Sequence, residues 1–353
     1  MPTLAIAGGT SAGLGRAITT AVFANKRLAQ WDVVILSRSP RVPLWLGAID
    51  EIKAERHTIR VVDYLSSESL ASALKGVHTV VSVTSAHDDT QAQVQINLLH
   101  AAIEASCRRF APSQWGFGSK GWEAIGTLRW ANHGVQEECI KQRGTIEFAN
   151  FNHGSFMNCI GHGIFPPSGP ESGEVTTLDQ LRKGFGYKSG EDEACAGLHR
   201  QGPLADKSGA YLIGMRNGIA ELPIKDDGTW PRITFTTLPD VGRFVAASLD
   251  LPKWEEDMSM AGYTLTMGEL LSHAESVTGK RFNVTVLNRE DLEEKLENTP
   301  QDDFMGRLWT DFDLAHIRDR EDEGVLHPVV NGLCPEVQPI SVREYVEKYW
   351  IEA

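Results

Sequence analysis

Short apolar runs alternate with helical patterns along the first 150 residues. The runs are rich in Val and Ile and almost continuously apolar, as expected for strands that are buried on both faces. They are TLAIA (3–7), DVVILS (32–37), TIRVVD (58–63), HTVVSVT (78–84), RRFAPS (108–113) and IEFANF (146–151). The helical patterns between them cover residues 13–29, 67–76, 88–106 and 131–143. This alternation predicts an α/β fold with a doubly wound parallel sheet of the Rossmann type.

The regular alternation fades after residue 151. Residues 166–210 are dense in Gly, Ser, Pro and charged residues, which is typical of a lid, a surface excursion or a partly disordered segment. Helical patterns return at 238–250, 266–279, 289–298 and 341–350. We therefore expect a nucleotide-binding domain over 1–155 and a smaller α/β substrate lobe over 156–353, with some interleaving of the chain between them. The 166–210 insert is the candidate lid.

Composition narrows the classes of function. The 353 residues are 41% hydrophobic and 23% charged, as in ordinary soluble proteins. A net charge of −13 argues against nucleic acid and anionic lipid as partners. The five cysteines form no CxxC pair, and no His, Asp or Glu cluster has metal-ligand spacing, so we expect reduced thiols and no metal. With no signal-peptide pattern and no apolar span, the expected location is the cytoplasm; the oligomeric state stays open.

The stretch AIAGGTSAGLGRAI (5–18) follows the first strand and opens a helix. A tight turn, a close backbone approach to a pyrophosphate and close packing of the helix each exclude a Cβ, which explains glycines here. Exposed N–H groups at the helix N-terminus then face the phosphates. The alternative is a structural turn without a ligand. The candidate phosphate-binding residues are Gly9, Thr10, Ser11, Gly13, Leu14 and Gly15.

The second strand ends in Ser37 and Arg38, where NAD-binding proteins carry an acidic residue for the ribose 2′-hydroxyl. An arginine suits a 2′-phosphate instead, which favours NADP(H) over NAD(H). The alternative is an ordinary solvated arginine. At the next strand ends, the candidates are Asp63 and Tyr64 beside the adenine and Thr84 and Ser85 beside the nicotinamide ribose, unless they only cap the strands.

Aromatic residues are dense after the fifth strand. Trp115, Phe117, Trp122 and Trp130 fall within one irregular segment. Each alone is more simply a core residue, but their density favours an apolar or aromatic substrate pocket. His153, in the turn after the sixth strand, is either a substrate contact or a turn residue.

The run RRFAPSQWGFG (108–118) resembles the NmrA-like, isoflavone reductase-like group of atypical short-chain dehydrogenases. Members carry a basic-Arg-Phe-x-Pro-Ser-x-aromatic-Gly run after the fifth strand, and GSFMN (154–158) and the stretch 233–254 match as well. The resemblance implies a Rossmann domain that holds NADP(H), a C-terminal lobe, and a substrate between them. With it, Ser113 joins the cofactor candidates and Phe156 joins the substrate candidates.

Two departures from this family bear on function. The glycine spacing is G-x-x-x-G-x-G rather than the family's G-x-x-G-x-x-G. The family's reductases also carry a lysine early in the helix after the Pro-Ser run as general acid and base, and His133 stands there in this chain. Histidine can transfer protons at neutral pH, although a lone histidine is often structural. Lys120 is a second candidate, unless it is merely solvated, and no Tyr-x-x-x-Lys pair is present.

The sequence favours an NADP(H)-dependent reductase of a sizeable, apolar or aromatic small molecule in secondary metabolism. The reduced centre would be an imine, an enone or a benzylic carbon. Two alternatives remain open. One is a reduction coupled to the cyclisation of an alkaloid precursor, and the other is a non-catalytic regulator that senses dinucleotides.

Overall fold

The computed structural model describes most of the chain. The described residues are 1–11, 13–43, 45–46, 56–85, 90–122, 124–132, 134–160, 212–215 and 218–351, without the side chain of Trp130. The predicted 166–210 insert and Cys195 therefore lie outside the described residues. The other four cysteines are buried and form no disulfide.

A six-stranded parallel sheet forms the centre of the N-terminal part. Its strands are β1 (Thr3–Ala7), β2 (Asp32–Ser37), β3 (His57–Val61), β4 (Thr79–Ser82), β5 (Arg109–Ala111) and β6 (Glu147–Phe148). Their order is β3-β2-β1-β4-β5-β6, so the chain reverses its direction across the sheet between β1 and β4. Ligands of doubly wound sheets bind at the carboxyl ends of the strands at this reversal. The predicted Rossmann fold is confirmed.

Helices cover both faces of this sheet. They are α1 (Leu14–Ala24), α2 (Ser67–Ala73), α3 (Gln91–Glu104), α4 (Arg129–Asn132) and α5 (Val135–Lys141), with 3₁₀ turns at Lys26–Leu28, Gly126–Leu128 and Met157–Cys159. One apolar core includes α1, and the other lies under α2, α3 and α5. The continuous helix predicted over 131–143 is wrong, because Gly134 has a φ of +75° and separates α4 from α5.

The C-terminal part contains small strands that the pattern did not predict. They are β7 (Ser155–Phe156), β8 (Ile213–Gly214), β9 (Ile219–Pro223), β10 (Arg232–Thr236), β11 (Tyr263–Thr266) and β12 (Asn283–Leu287). They pair as two three-stranded sheets, β11-β10-β7 and β12-β9-β8. Buried and exposed positions are mixed along β9 and β12, which leaves a weaker hydrophobic signal than the continuously buried β1 and β2.

The helices of this part are closer to expectation. They are α6 (Leu238–Ser248), α7 (Met267–Thr278), α8 (Arg289–Asn298), α9 (Phe304–Arg318), α10 (Val329–Leu333) and α11 (Val342–Trp350). Helices α7, α8 and α11 begin with capping boxes, in which the N-cap side chain and the third helical residue bond each other's backbone N–H groups. Helices α9 and α10 had not been predicted. Within the described residues, no helix has the length and apolar character needed to cross a membrane.

The two parts of the chain interleave. Helix α6 packs on α1 so closely that a Cβ on Gly242 would lie 2.4 Å from the Ala17 carbonyl oxygen. Residues 256–260 run beside β6, where the Asn150 N–H donates to the Glu256 carbonyl at 2.8 Å and the Met258 N–H to the Asn150 carbonyl at 2.9 Å. Segments beyond residue 155 thus complete the N-terminal core.

Candidate functional site

The turn after β1 is set by a glycine outside the predicted triplet. Gly8 has a φ of +75°, and its N–H donates to the Leu36 carbonyl at 3.2 Å and to the Tyr64 hydroxyl at 2.9 Å. A Cβ on Gly8 would lie 3.0 Å from the Thr84 backbone. The positive φ that the turn requires therefore belongs to Gly8, where β1 and β4 approach each other most closely.

The three predicted glycines have two different roles. A Cβ on Gly9 would lie 2.9 Å from the Ile6 carbonyl oxygen, and one on Gly15 would lie 2.6 Å from the Gly9 carbonyl oxygen. A Cβ on Gly13 would meet nothing within 4 Å. The inner side of the loop is thus closed by its own backbone, while Gly13 at the start of α1 faces open space. An open glycine at a helix N-terminus fits the pyrophosphate of a dinucleotide.

Two side chains hold the loop in this shape. The Ser11 Oγ accepts the Gly15 N–H at 3.0 Å, which satisfies one of the free N–H groups in the first turn of α1. The Trp45 indole, 5% exposed, donates to the Thr10 carbonyl at 3.3 Å. Sequence reasoning missed Trp45, because it lies in a short apolar run with no distinguishing pattern.

Arg38 lies at the carboxyl end of β2, as predicted, and is exposed. Within the described part of the chain its guanidinium forms no hydrogen bond or ion pair. Ser37 beside it is buried, and its Oγ accepts the Ser39 N–H at 3.2 Å. A positive charge next to the phosphate loop therefore remains available to a ligand.

The side chains of Tyr64 and Asp63 form hydrogen bonds with backbone groups of the chain. The Tyr64 hydroxyl donates to the Leu36 carbonyl at 2.8 Å while it accepts the Gly8 N–H, so it braces the glycine loop. Burial raises the pKa of Tyr64 to about 12, which keeps the phenol neutral and able to donate. Asp63 accepts the Leu65 N–H at 2.9 Å. Both contacts favour the strand-end alternative over the adenine contact.

A buried glutamine links the ends of β4 and β5. The Thr84 Oγ1 accepts from the Gln95 side-chain amide at 2.6 Å, and the Gln95 Oε1 accepts the Ser113 N–H at 2.8 Å. The Ser113 hydroxyl donates to the Thr84 carbonyl at 2.9 Å, while Ser85 is exposed. Thr84 and Ser113, two of the predicted cofactor residues, are therefore brought together, whereas Ser85 takes no part in these bonds. Gln95 was missed, since it lies on a helix face that the pattern treats as packing.

Three of the predicted substrate residues form an aromatic group beyond β5 and β6. The Trp115 indole donates to the Ser82 carbonyl at 2.9 Å, and its ring centroid lies 6.4 Å from that of His153. The Phe156 ring stacks on His153 with centroids 4.0 Å apart. Burial lowers the pKa of His153 to about 3, so this imidazole is neutral. Neither of its ring nitrogens has a hydrogen-bond partner in the described part of the chain.

The remaining predicted residues are placed differently. Phe117 is 3% exposed and packs against Phe312 and His316, which favours its core role. Lys120 is exposed and forms an ion pair with Asp322 at 2.8 Å, which raises the pKa of the lysine and favours the solvated alternative. His133 lies outside the described residues, as does the side chain of Trp130.

A cavity of about 270 Å³ lies beside the end of β5. It is lined by Gln114, Ser119, Trp122, Arg129, Asn132, Gly134, Gln136 and Glu137. We call it the Gln114 cavity. Asn132 and Gly134 are the chain neighbours of position 133.

Comparison with known proteins places this site in a family. The model of the NmrA-like family matches residues 2–135. Oxidoreductase swnN of Metarhizium robertsii is 36% identical, over 99% of this chain and 98% of its own length. Oxidoreductase BOA1 of Botryotinia fuckeliana is 24% identical, over 80% and 78%.

Solved structures share the fold at low sequence identity. AtPrR2 with NADP⁺ and (+)pinoresinol has a TM-score of 0.65 at 18% identity, and 99% of this chain and 98% of that one are covered. The complex of leucoanthocyanidin reductase from Vitis vinifera with NADPH has a TM-score of 0.64 at 16% identity, with 99% and 100% covered. The family-model match and the match to swnN over nearly the whole chain show that the chain belongs to the NmrA-like family.

Proposed function

We propose that this protein is an NADP(H)-dependent oxidoreductase that reduces an unsaturated centre of a small molecule. The observation that carries the proposal is an open glycine at the start of α1 beside an exposed arginine at the end of β2, whose guanidinium forms no hydrogen bond or ion pair within the described residues. Gly13 leaves room for a pyrophosphate, and Arg38 offers a charge-assisted contact to a 2′-phosphate. The names of the two relatives, and the NADP⁺ and NADPH of the two structural neighbours, support it.

The cofactor, when bound, supplies a hydride. The chain itself binds the cofactor through the glycine loop and the residues beside the ribose, and it orients the substrate against the nicotinamide. Thr84 and Ser113 are our candidates for the nicotinamide ribose, because Gln95 fixes both at the ends of adjacent strands. Trp115, His153 and Phe156 supply the aromatic surface for the substrate, with His153 neutral.

The proton is assigned to the imidazole of His133, in place of the family's lysine. This assignment rests on the sequence alignment and on the position of its neighbours Asn132 and Gly134 in the cavity wall. An imine, an enone and a benzylic centre remain the candidate functional groups, with secondary metabolism as the proposed context.

The proposal is tested first at Arg38. We expect Arg38→Ala to weaken NADPH binding by about 10- to 100-fold, since charge-assisted hydrogen bonds contribute about 1.5–3 kcal/mol. NADH binding should hardly change. Both affinities are measured by fluorescence titration. Lys26→Ala, an exposed residue beyond the far end of α1, removes the same charge and should change neither affinity. Equal losses for NADPH and NADH would remove the 2′-phosphate assignment.

Turnover separates the enzyme from the regulator. NADPH oxidation is followed with a cyclic imine, an enone and (+)-pinoresinol as probes, with product analysis by mass spectrometry. Tight NADPH binding with no oxidation of any probe would favour the dinucleotide-sensing alternative. A reduced product that has also closed a ring would favour the coupled cyclisation.

A further inference from the structure

Three buried polar atoms of the Gln114 cavity have no hydrogen-bond partner among the residues that the structure describes. They are the Gln114 Oε1, the Trp122 Nε1 and the Asn132 Nδ2, and all three residues line the same cavity. Gln114 is 2% exposed and Trp122 is 9% exposed. A buried polar atom without a partner costs about 1–3 kcal/mol, so three in one cavity indicate that something outside the protein satisfies them.

The chemistry of these atoms restricts the ligand. An indole nitrogen only donates, and a side-chain amide nitrogen also donates, so Trp122 and Asn132 together require an acceptor. The Gln114 carbonyl oxygen requires a donor. The wall carries one residue of each charge, Arg129 and Glu137, and so no net charge. The cavity therefore selects a neutral group that offers both an acceptor and a donor.

The segment that carries Trp122 is held by hydrogen bonds on either side of the cavity wall. Thr127 donates to Asp311 on α9 through its N–H at 2.7 Å and its hydroxyl at 2.5 Å. The Gly118 N–H donates to the Glu323 carbonyl at 2.9 Å. These bonds tie both ends of the loop that carries Trp122 to the C-terminal part. The cavity is preformed, which lowers the cost of binding.

The cavity has room for more than a single water molecule. The volume of about 270 Å³ is well above the roughly 30 Å³ share of a water molecule. It is also slightly below the range of about 300–1,000 Å³ that holds whole drug-sized ligands. The cavity fits one ring or one functional group of a larger molecule.

We propose that the Gln114 cavity binds a carboxamide or lactam group of the substrate. The carbonyl oxygen of the group accepts from Trp122 and Asn132, and its N–H donates to Gln114. The inference rests on the proposed function in one respect, that the bound molecule is the substrate. It replaces the expectation of a largely apolar substrate with that of an apolar body carrying one neutral amide.

The test uses two ring compounds that differ only in the donor. The probes are δ-valerolactam, which has a carbonyl and an N–H, and cyclohexanone, which has the carbonyl alone. Binding to the full chain is followed through the indole N–H signals of the ¹⁵N-labelled protein, with and without NADPH. The Trp122 signal is assigned as the one that is missing in Trp122→Phe. We expect δ-valerolactam to shift this signal saturably and to bind more tightly than cyclohexanone.

Three variants dissect the contacts. Trp122→Phe and Asn132→Leu remove donors and should weaken both probes by about tenfold, as a net hydrogen bond of about 1.4 kcal/mol implies. Gln114→Met removes the acceptor but keeps a side chain of similar length, so it should weaken the binding of δ-valerolactam only. In Trp122→Phe, which lacks the Trp122 indole signal, binding is measured from the shifts of the remaining indole signals. Asn298→Leu, exposed at the end of α8, is the matched control and should leave both affinities unchanged.

The outcomes are distinct. An indole signal that neither probe shifts, or equal losses of both probes in Gln114→Met, would overturn the amide assignment. Such a result would not contradict the proposed function, because NADPH affinity and turnover are measured in separate experiments. Conversely, saturable lactam binding in a protein that does not bind NADPH would preserve the cavity assignment and remove the proposed function.

Discussion

The glycine loop and the Gln114 cavity treat their buried polar groups in opposite ways. Around the loop, the Ser11 hydroxyl and the Tyr64 hydroxyl are paired within the chain. In the cavity, Gln114, Trp122 and Asn132 each hold an atom that no described group satisfies. The described residues of the loop are held by contacts within the chain, and an open glycine and an exposed arginine lie there for a ligand. The cavity is completed by what it binds.

This difference corresponds to two tasks, the binding of a dinucleotide that many proteins share and the recognition of one particular substrate. A pyrophosphate is the same in every dinucleotide, so a loop that holds its own shape suffices to bind it. A substrate is distinguished by the groups that it alone can pair, and unpaired atoms in a rigid wall reject molecules that lack them. We therefore expect changes in one region to leave the other intact.

The largest expected effect tests this separation at His133. We expect His133→Ala to lower turnover about 100-fold or more, since a positioned general acid contributes roughly 10²–10⁴-fold. The Kd for NADPH should stay within about twofold, because the loop and Arg38 are unchanged. Turnover is measured with whichever probe is reduced by the wild type.

Two further variants sharpen the result. His133→Lys restores the residue type of the family's reductases and should recover part of the turnover. Lys120→Ala removes an exposed lysine that is paired with Asp322, and this variant should keep the wild-type turnover. Full turnover in His133→Ala would remove this histidine from the mechanism, and lost turnover in Lys120→Ala would restore the lysine as a candidate.

The next effect distinguishes the closed and open sides of the glycine loop. Gly15→Ala places a Cβ 2.6 Å from the Gly9 carbonyl oxygen and should cost about 1–3 kcal/mol of unfolding free energy. Gly13→Ala meets no protein atom and should change stability by less than about 0.5 kcal/mol. Gly13→Ala should nevertheless weaken NADPH binding about tenfold or more, because the new methyl occupies the phosphate side.

Urea unfolding and NADPH titration of both variants check this prediction. The decisive measurement is the NADPH affinity of Gly13→Ala, because we expect this variant to fold as stably as the wild type. Unchanged NADPH affinity in that variant would show that the open face of the loop is not where the phosphates lie.

Sequence reasoning succeeded where the backbone imposes the residue. The doubly wound parallel sheet follows from periodicity, and the glycine at the start of α1 and Arg38 follow from their positions at strand ends. The sequence did not single out Gly8, because Gly8 and Gly9 are adjacent and only the dihedral angle shows which of them has the positive φ. The inward contact of Tyr64 was hidden as well, because a strand-end side chain can point to the loop as easily as to a ligand; its adenine contact stays a prediction.

The substrate side was less predictable for a different physical reason. Phe117 and Trp115 lie two residues apart, yet one packs on α9 and the other lies beside His153. Their separation depends on α9, a helix that the pattern did not reveal. The cavity was likewise hidden, since unpaired buried atoms can be recognised only when all their neighbours are known.

The smallest effect is on stability, and it extends the comparison to the buried ionisable groups of the substrate side. Burial lowers the pKa of His153 and of His316 to about 3 from 6.5, and raises the pKa of Asp313 to about 8 from 3.8. Below pH 6.5 the unfolded chain takes up protons on the two histidines and the folded chain does not, so stability falls as the pH falls. Between about pH 4 and 8 the folded chain holds a proton on Asp313 that the unfolded chain has lost, so stability falls as the pH rises.

Each group contributes a slope of about 1.4 kcal/mol per pH unit, and the two histidines outweigh the one aspartate. From these three groups we expect maximal stability near pH 6.5, with a decline on both sides, in urea unfolding followed across pH 4.5 to 8.5. Asp313→Asn should remove the alkaline decline, and His153→Gln should reduce the acid slope, whereas the exposed His327→Gln is the control. An acid slope that His153→Gln leaves unchanged would mean that this imidazole is already paired or solvated in the folded protein. That result would weaken the contrast between the glycine loop, whose polar groups are hydrogen-bonded within the chain, and the substrate side, where polar atoms lack a partner among the described residues.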